Sequence, residues 1–411
     1  MVNKAVITPL IAMSLLITAL SPAHAQLASS SWPRYQGNSG NSGRTSIVAM
    51  GQRRSWSESS SGGTGGSSCS VGTDGTVYKV TSTGLMAVSP SGSKRWTHLG
   101  GGGSCTPAVG QDGTIYYGTH RQSGTENGTF YAVNSNGSTR WSFSFAGDDY
   151  ESSPVIDALG NVYFGSNSGM FYSIRADTGS LNWQQQLGGI YGSPALDSMG
   201  RVLIGNSNGY LYAFDTTGHI AWHSWVGQSS FSSPAVAADG NIYMGSLNAN
   251  SRLTAISPSG SLRWSRTTTG MNGSPAIGAD GTVYIITADA ALRAYSPSGT
   301  ALWSYLSPTY NYSAAYFGSP VVDGNGTIYY TACQQNWLGA LIAIDPNGTL
   351  KYQTAITSGL LPAAPAIGPQ GQIYLGSGGE VICLVPEPNG ILILAMGGLA
   401  LAGGYNRRRR V

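Results

Sequence analysis

Charge is what this chain has least of. Asp, Glu, Lys and Arg make up 9% of its 411 residues, against roughly a quarter in an ordinary soluble domain. The formal charge of +3 also sits in the wrong places to steer a polyanion. Setting aside Lys4, Arg407 to Arg410 and Glu387 leaves 16 basic and 17 acidic residues between positions 26 and 384. A body so nearly neutral has no basic face for nucleic acid, and that partner class is excluded. Cysteine is scarce too, with four in the chain and no two adjacent. There is no phosphate-binding glycine loop, and no serine sits in a His and Asp context that would make it a nucleophile.

Glycine, at 59 residues, is abundant, and it is periodic. The phrase GSPAIGADGTVYI at 273 to 285 returns as SSPAVAADGNIYM (232 to 244), GSPALDSMGRVLI (192 to 204) and SSPVIDALGNVYF (152 to 164). Related copies are CTPAVGQDGTIYY (105 to 117), GSPVVDGNGTIYY (318 to 330) and AAPAIGPQGQIYL (363 to 375), with a degraded SSCSVGTDGTVYK at 67 to 79. The turn glycines Gly75, Gly113, Gly160, Gly200, Gly240, Gly281, Gly326 and Gly371 stand 38 to 47 residues apart, which gives eight units. Each unit carries four strand signals, because β-branched and aromatic residues alternate between turns rich in Gly, Pro, Asn and Asp. Four strands in roughly 40 residues is a β-propeller blade.

The last strand of each unit ends in an aromatic: Trp96, Trp141, Trp183, Trp222, Trp264, Trp303 and Tyr352. The eighth unit has none, and Trp56 in GQRRSWS lies 40 residues before Trp96. The expectation is an all-β, eight-bladed propeller over 46–384, closed by an N-terminal strand that leaves no free sheet edge at the junction. These repeats resemble the PQQ-like (pyrroloquinoline-quinone-like) propeller superfamily, whose blades end in a similar Gly-to-Trp strand with the Trp docked between neighbours. On that resemblance Trp56, Trp96, Trp141, Trp183, Trp222, Trp264 and Trp303 are blade-docking residues. The lead-in WPRYQGNSGNSGRT (32 to 45), within a segment 26–45, resembles the stretch that precedes such propellers.

The two ends carry addresses. Residues 1–25 have one early charge, an apolar stretch and Ala23-His24-Ala25, the pattern of a secretory signal peptide cut after Ala25. Residues 385–411 run Val385-Pro386-Glu387-Pro388, then a short apolar segment expected to form a helix, then Arg407, Arg408, Arg409 and Arg410. The apolar part, 390 to 405, is 16 residues long and short of the roughly 17 to 25 of a spanning helix. An ordinary membrane anchor is the plain alternative. The order of features resembles the PEP-CTERM sorting signal, and that resemblance implies a membrane exosortase as processing partner, transient membrane insertion of the tail, and delivery to the cell surface or an exopolysaccharide matrix.

Residues that could carry chemistry are few. Quinone enzymes of the superfamily hold their cofactor on the propeller axis with calcium, acidic and amide ligands and often a disulfide between adjacent cysteines. This chain offers no such pair and no acidic cluster assignable to the axis. No cofactor is expected, and PQQ with calcium is kept as the alternative. His219 and His223, and the loop acids Asp148, Asp149 and Glu151, are read as packing or solvated residues in preference to metal ligands. Cys69 with Cys105 is the favoured disulfide and Cys333 with Cys383 a second, against four unpaired buried thiols.

Long, uneven connections gather on one face, and binding residues usually sit on such loops. Tyr191, Phe231, Asn272, Tyr312, Phe317 and Trp337 are the candidate ligand face, where aromatic planes and amides with little charge suit neutral sugars. The reading is a secreted, non-catalytic binding or scaffold module, with exopolysaccharide or surface proteins as partners. A quinone- or calcium-dependent oxidoreductase and a protein-assembly scaffold are the alternatives.

Overall fold

The computed structural model describes residues 26–60, 67–120, 127–147, 152–228, 232–247, 250–271, 273–311, 318–334, 338–356 and 363–386. Within them lie eight antiparallel sheets of four strands each, the blades of a propeller. Blade 3 is representative, with strands Val155–Ile156, Asn161–Gly165, Met170–Arg175 and Leu181–Gln186 from the axis outward. Its second strand is buried throughout because a sheet covers each face, whereas the outermost strand alternates between half-buried and exposed. The turn after the first strand is set by Asp157, whose Oδ1 accepts from Leu159 N at 2.9 Å and Asn161 N at 2.8 Å. That is the Asx chemistry which the D-G and D-A-x-G signals encode. Blade 8 combines Ala366–Ile367, Ile373–Ser377 and Glu380–Val385 with Arg53–Ser59, and Trp56 lies opposite Cys383. The N-terminal strand therefore closes the ring, and no helix occurs among the described residues. The apolar C-terminal helix expected from the sequence lies outside them.

Two sets of contacts lock the seams between blades. On the outer side, each indole Nε1 donates to a backbone carbonyl of the next blade. Trp56 reaches Pro90, Trp96 Ser135, Trp141 Ala176, Trp183 Thr216, Trp222 Pro258, Trp264 Pro297 and Trp303 Pro346, at 2.8 to 3.1 Å. At the last seam Tyr352 Oη donates to Gly51 O at 3.1 Å. Each indole lies close against a turn glycine. At Gly179 (φ +73) an added Cβ would sit 2.7 Å from Trp141 ring carbons, so this turn needs glycine both for its left-handed backbone and for the close approach.

At the axis, Ser153 Oγ accepts from Thr106 N at 2.9 Å, Ser193 Oγ from Ser153 N at 2.9 Å, and Ser233 Oγ from Ser193 N at 2.8 Å. Ser274 Oγ then accepts from Ser233 N and Ser319 Oγ from Ser274 N, both at 2.8 Å. The repeated serine before proline is thus a blade-to-blade relay running from blade 2 to blade 7. Blade 8 has Ala364 at this position, where the relay has no hydroxyl.

The lead-in segment does more than precede the ring, because it runs inside it. Carbonyls of Trp32, Pro33, Ser39, Gly40, Ser42 and Gly43 accept from Val71, Val109, Leu196, Val236, Ile277 and Val322 N at 2.7 to 2.9 Å. These donors are the second residues of the innermost strands of blades 1, 2, 4, 5, 6 and 7. Met50 N then donates to Gly371 O of blade 8 at 2.9 Å. Trp32, Arg34 and Asn41 are fully buried there.

All four cysteines are buried thiols outside any disulfide, which corrects both expected disulfides. Cys69 packs in the core that joins blades 7, 8 and 1, whereas Cys105 packs between blades 1 and 2 and its Sγ donates to Gly118 O at 3.4 Å. Neighbouring first strands fan out from the axis, and each thiol enters the apolar layer of its own seam. Cys383 shares the Cys69 core, and Cys333, at the end of the second strand of blade 7, does not. Burial pushes the Cys69 thiol up to about 11 and Cys383 up to about 12. Beside Cys69 lies Lys79, fully buried, its Nζ donating to Ser67 O and Ser67 Oγ at 3.0 Å each. Burial lowers its ammonium to about 8.

Three outcomes follow from this packing. Ser233→Ala leaves the buried Ser193 N–H without its acceptor, and a loss of about 1–3 kcal/mol is expected in urea unfolding; an unchanged midpoint would show that the relay carries no stability. Between about pH 8 and the unfolded value of 10.5 the unfolded chain holds a proton on Lys79 that the folded chain has released, so stability rises with pH across that window. Below pH 8 both states hold the proton and the penalty, on the order of 3 kcal/mol, is constant. The stability advantage of Lys79→Met over the parent is therefore expected to be greatest at pH 7 and to shrink towards pH 10, and a gap independent of pH contradicts this. A thiol reagent is expected to label no cysteine rapidly in the native protein and all four in denaturant without reductant.

Candidate functional site

Two regions qualify as a site: the axial channel and the face of long connections. The axial group is built from the lead-in. Arg34 Nε donates to Pro154 O at 2.9 Å, Nη1 to Asn38 O at 3.0 Å and to Asn41 Oδ1, and Nη2 to Pro194 O at 3.0 Å and Ser153 O at 3.3 Å. Asn41 Nδ2 donates to Pro194 O at 3.1 Å and Pro234 O at 3.2 Å. Tyr35 Oη lies 3.0 Å from Ser274 Oγ and 2.7 Å from Ser319 Oγ. All the acceptors of the guanidinium are neutral, and burial lowers it to about 9 from its ordinary 12.5. Proline supplies these carbonyls without adding an N–H that would need a partner on the inner edge.

A quinone with calcium does not fit these residues. Its ion would stand against a fixed, buried guanidinium, with hydroxyls and carbonyls in place of carboxylates. Among the described residues no three His, Cys, Asp or Glu side chains converge to hold a metal. Gln36, 1% exposed, has neither side-chain atom hydrogen-bonded to protein, but it lies against Gly43 in the turn of the lead-in and one amide is not a ligand set.

The remaining sequence-derived residues are scattered. His219 shares a hydrogen bond through Nδ1 with Thr217 Oγ1 at 2.7 Å, while His223 packs on Tyr210 and Tyr212, so the two do not converge. Tyr191 is half-buried beside Gly189 on the long-connection face. Phe231, Asn272, Tyr312, Phe317 and Trp337 lie outside the described residues, as do Asp148, Asp149 and Glu151. Val385 ends the third strand of blade 8 opposite Arg53, with Pro386 next, and Ala23, Ala25, Glu387, Pro388 and Arg407 to Arg410 are likewise outside. The face also carries a residue that the loop reading passes over. Trp225 is 46% exposed with the Arg252 guanidinium 4.9 Å from its ring centroid. Its signal was a second Trp three positions after the docking Trp222.

The family model described as outer membrane protein assembly factor BamB matches residues 56–224 and 207–384. Among solved structures, BamB from Moraxella catarrhalis is similar at 17% identity and a TM-score of 0.66, covering 82% of this chain and 98% of that one. The quinohemoprotein alcohol dehydrogenase of Comamonas testosteroni is similar at 13% identity and a TM-score of 0.65, covering 87% and 81%. The quinohemoprotein alcohol dehydrogenase ADHIIG of Pseudomonas putida HK5 is similar at 14% identity and a TM-score of 0.68, covering 88% and 82%. No curated protein matches in sequence. Likeness at these identities shows the fold alone, whereas the family match spans most of the chain. With its repeats, docked tryptophans and strand-closed ring of eight blades, the chain belongs to the PQQ-like repeat family described as outer membrane protein assembly factor BamB.

Proposed function

We propose that the chain is exported and works at the cell surface or in the surrounding matrix as a non-catalytic binding scaffold, with exopolysaccharide as its ligand class. One observation carries the non-catalytic part: the propeller axis is occupied by the chain's own lead-in segment, centred on an Arg34 that is bonded only to neutral acceptors. A redox cofactor with calcium would need that space and the opposite charge. Neutral, hydroxyl-rich ligands suit a body with about one acidic residue for each basic one. The signal peptide and the C-terminal Pro-Glu-Pro, apolar and arginine sequence supply the route outward, with an exosortase-type enzyme as the processing partner.

A second reading is a scaffold for protein assembly, the role in the description of the family to which the chain belongs. Outermost strands that carry no Asp, Glu, Lys or Arg favour it. Leu181–Gln186, for instance, has no strand on its outer edge and carries no charge to discourage pairing with a guest strand.

The test places the purified full-length protein against the host's own exopolysaccharide, with quinone plus calcium in a parallel cell. Saturable retention of the polysaccharide is the expected result. Dye reduction in the quinone cell would replace the proposal with a small dehydrogenase, and silence in both would transfer it to a protein partner.

A further inference from the structure

The seams between blades share a second device just beyond the docking aromatics. Two residues past six of the eight, a polar side chain bonds across to the next blade. His98 Nε2 shares a hydrogen bond with Thr139 Oγ1 at 2.7 Å, and Gln185 Nε2 donates to Gly218 O at 3.2 Å. Ser224 Oγ donates to Gly260 O, Arg266 Nε to Gly299 O at 2.7 Å, and Thr354 Oγ1 to Gln52 O at 2.9 Å. Glu58 pairs with Lys94 at 3.4 Å. In blade 6 the position is Tyr305, packed into the core of its seam.

Blade 2 breaks the pattern with Phe143, which has no polar atom to offer. Its ring stands edge-on to Tyr172 at 5.8 Å, and beside it the seam between blades 2 and 3 opens into a groove of about 450 Å³. Phe143 of blade 2 lines one side; Met170, Tyr172, Gln184 and Gln186 line the other, with Met170 beside Gln186 and Tyr172 beside Gln184 on paired strands of blade 3, and Ser168 next to them. Gln186 Nε2 donates to Ser168 O at 3.1 Å, and Ser168 Oγ to Ala146 O at 2.8 Å, so these two polar side chains are held in place by bonds to backbone. Among the described residues no Asp, Glu, Lys, Arg or His lines it.

We infer that the seam groove between Phe143 and Gln184/Gln186 is a binding site for a neutral pyranose-containing glycan. A pyranose presents a C–H face that packs on an aromatic ring and a rim of hydroxyls that both donate and accept. Amides and serine hydroxyls answer that rim, since each also does both. A charged ligand would be desolvated against this lining without a counter-ion. The volume falls within the roughly 300–1,000 Å³ of small-molecule sites. The inference rests on the reading of the propeller as a glycan-binding module and gives that reading a place on the ring.

The test is calorimetric titration of the purified full-length protein with cellohexaose and laminarihexaose, with an oligogalacturonate and an uncharged extended peptide as comparison arms. Phe143→Gln installs the cross-seam donor that blade 3 already uses at Gln185 and is expected to weaken neutral-hexamer binding at least tenfold. Gln184→Leu, at an exposed position, is expected to weaken it several-fold at an unchanged melting temperature, and it stands in if Phe143→Gln fails to fold. Equal affinity in folded variants, preference for the anionic oligomer or the peptide, or no saturable binding of either neutral hexamer overturns the assignment. Retention of the host exopolysaccharide is measured on the same proteins. Equal retention by parent and variants removes the groove and leaves the binding-module reading standing. Loss of retention by the parent, with hexamers still bound at the groove, removes the host polymer and leaves the groove.

Discussion

The innermost strand of every blade is a sheet edge turned towards the axis, and its backbone N–H groups must find acceptors there. Buried amides without partners cost about as much as a lost hydrogen bond each, and eight such edges meet in one channel. The repeat solves this residue by residue. Proline has no N–H to satisfy. The serine before it gives its N–H to the serine hydroxyl of the following blade, as Ser153 does to Ser193 at 2.9 Å. The second strand residue gives its N–H to the lead-in, as Val236 does to Gly40 O at 2.8 Å. Strands only two residues long are enough because the next blade and the lead-in complete the edge.

That accounting explains why the axis carries a cation. Once proline carbonyls crowd the channel, donors are in demand, and a guanidinium supplies five in a fixed planar fork. Arg34 meets Pro154, Pro194 and Ser153 carbonyls with no carboxylate beside it, which is why burial lowers it so far. Lys79 repeats the arrangement at the seam of blades 8 and 1, an ammonium held by the Ser67 carbonyl and hydroxyl. In both places charge is used for its hydrogen-bond geometry, at an electrostatic cost that the packing of the ring offsets.

Much of this was legible in the sequence because it repeats. Eight turn glycines and seven strand-ending aromatics define the blades, and the absent eighth aromatic pointed to Trp56 and the closing strand Arg53–Ser59. The serine of the relay stood before proline in five of the quoted repeats, but a hydroxyl in front of proline reads equally as a turn residue until its partner is known. The lead-in was illegible for the opposite reason. WPRYQGNSGNSGRT occurs once, with no period to align, and its buried course follows from left-handed residues such as Gln36 and Asn41, at φ 54 and 52, that no strand signal announces. Cysteine spacing misled because Cys69 and Cys105 stand just ahead of the first strands of neighbouring blades, and nearness along a ring says nothing about which seam a side chain enters.

In a ring of near-identical units, positions that obey the repeat are committed to holding the ring together. The docking indole, the turn glycine beneath it and the axial serine are each engaged with a neighbouring blade. Function therefore has to be sought where the repeat is disobeyed. Ala364 leaves a gap in the relay, Trp225 adds an exposed indole beyond the docking one, and Phe143 replaces a cross-seam donor. The first lies at the axis, which the lead-in already fills, and the second is a single ring under a guanidinium. Phe143 stands beside a groove, opposite a Gln186 amide that is held on the Ser168 carbonyl. A rigid scaffold that gives up one structural bond gains a preorganised surface there, with little ordering left for a ligand to impose.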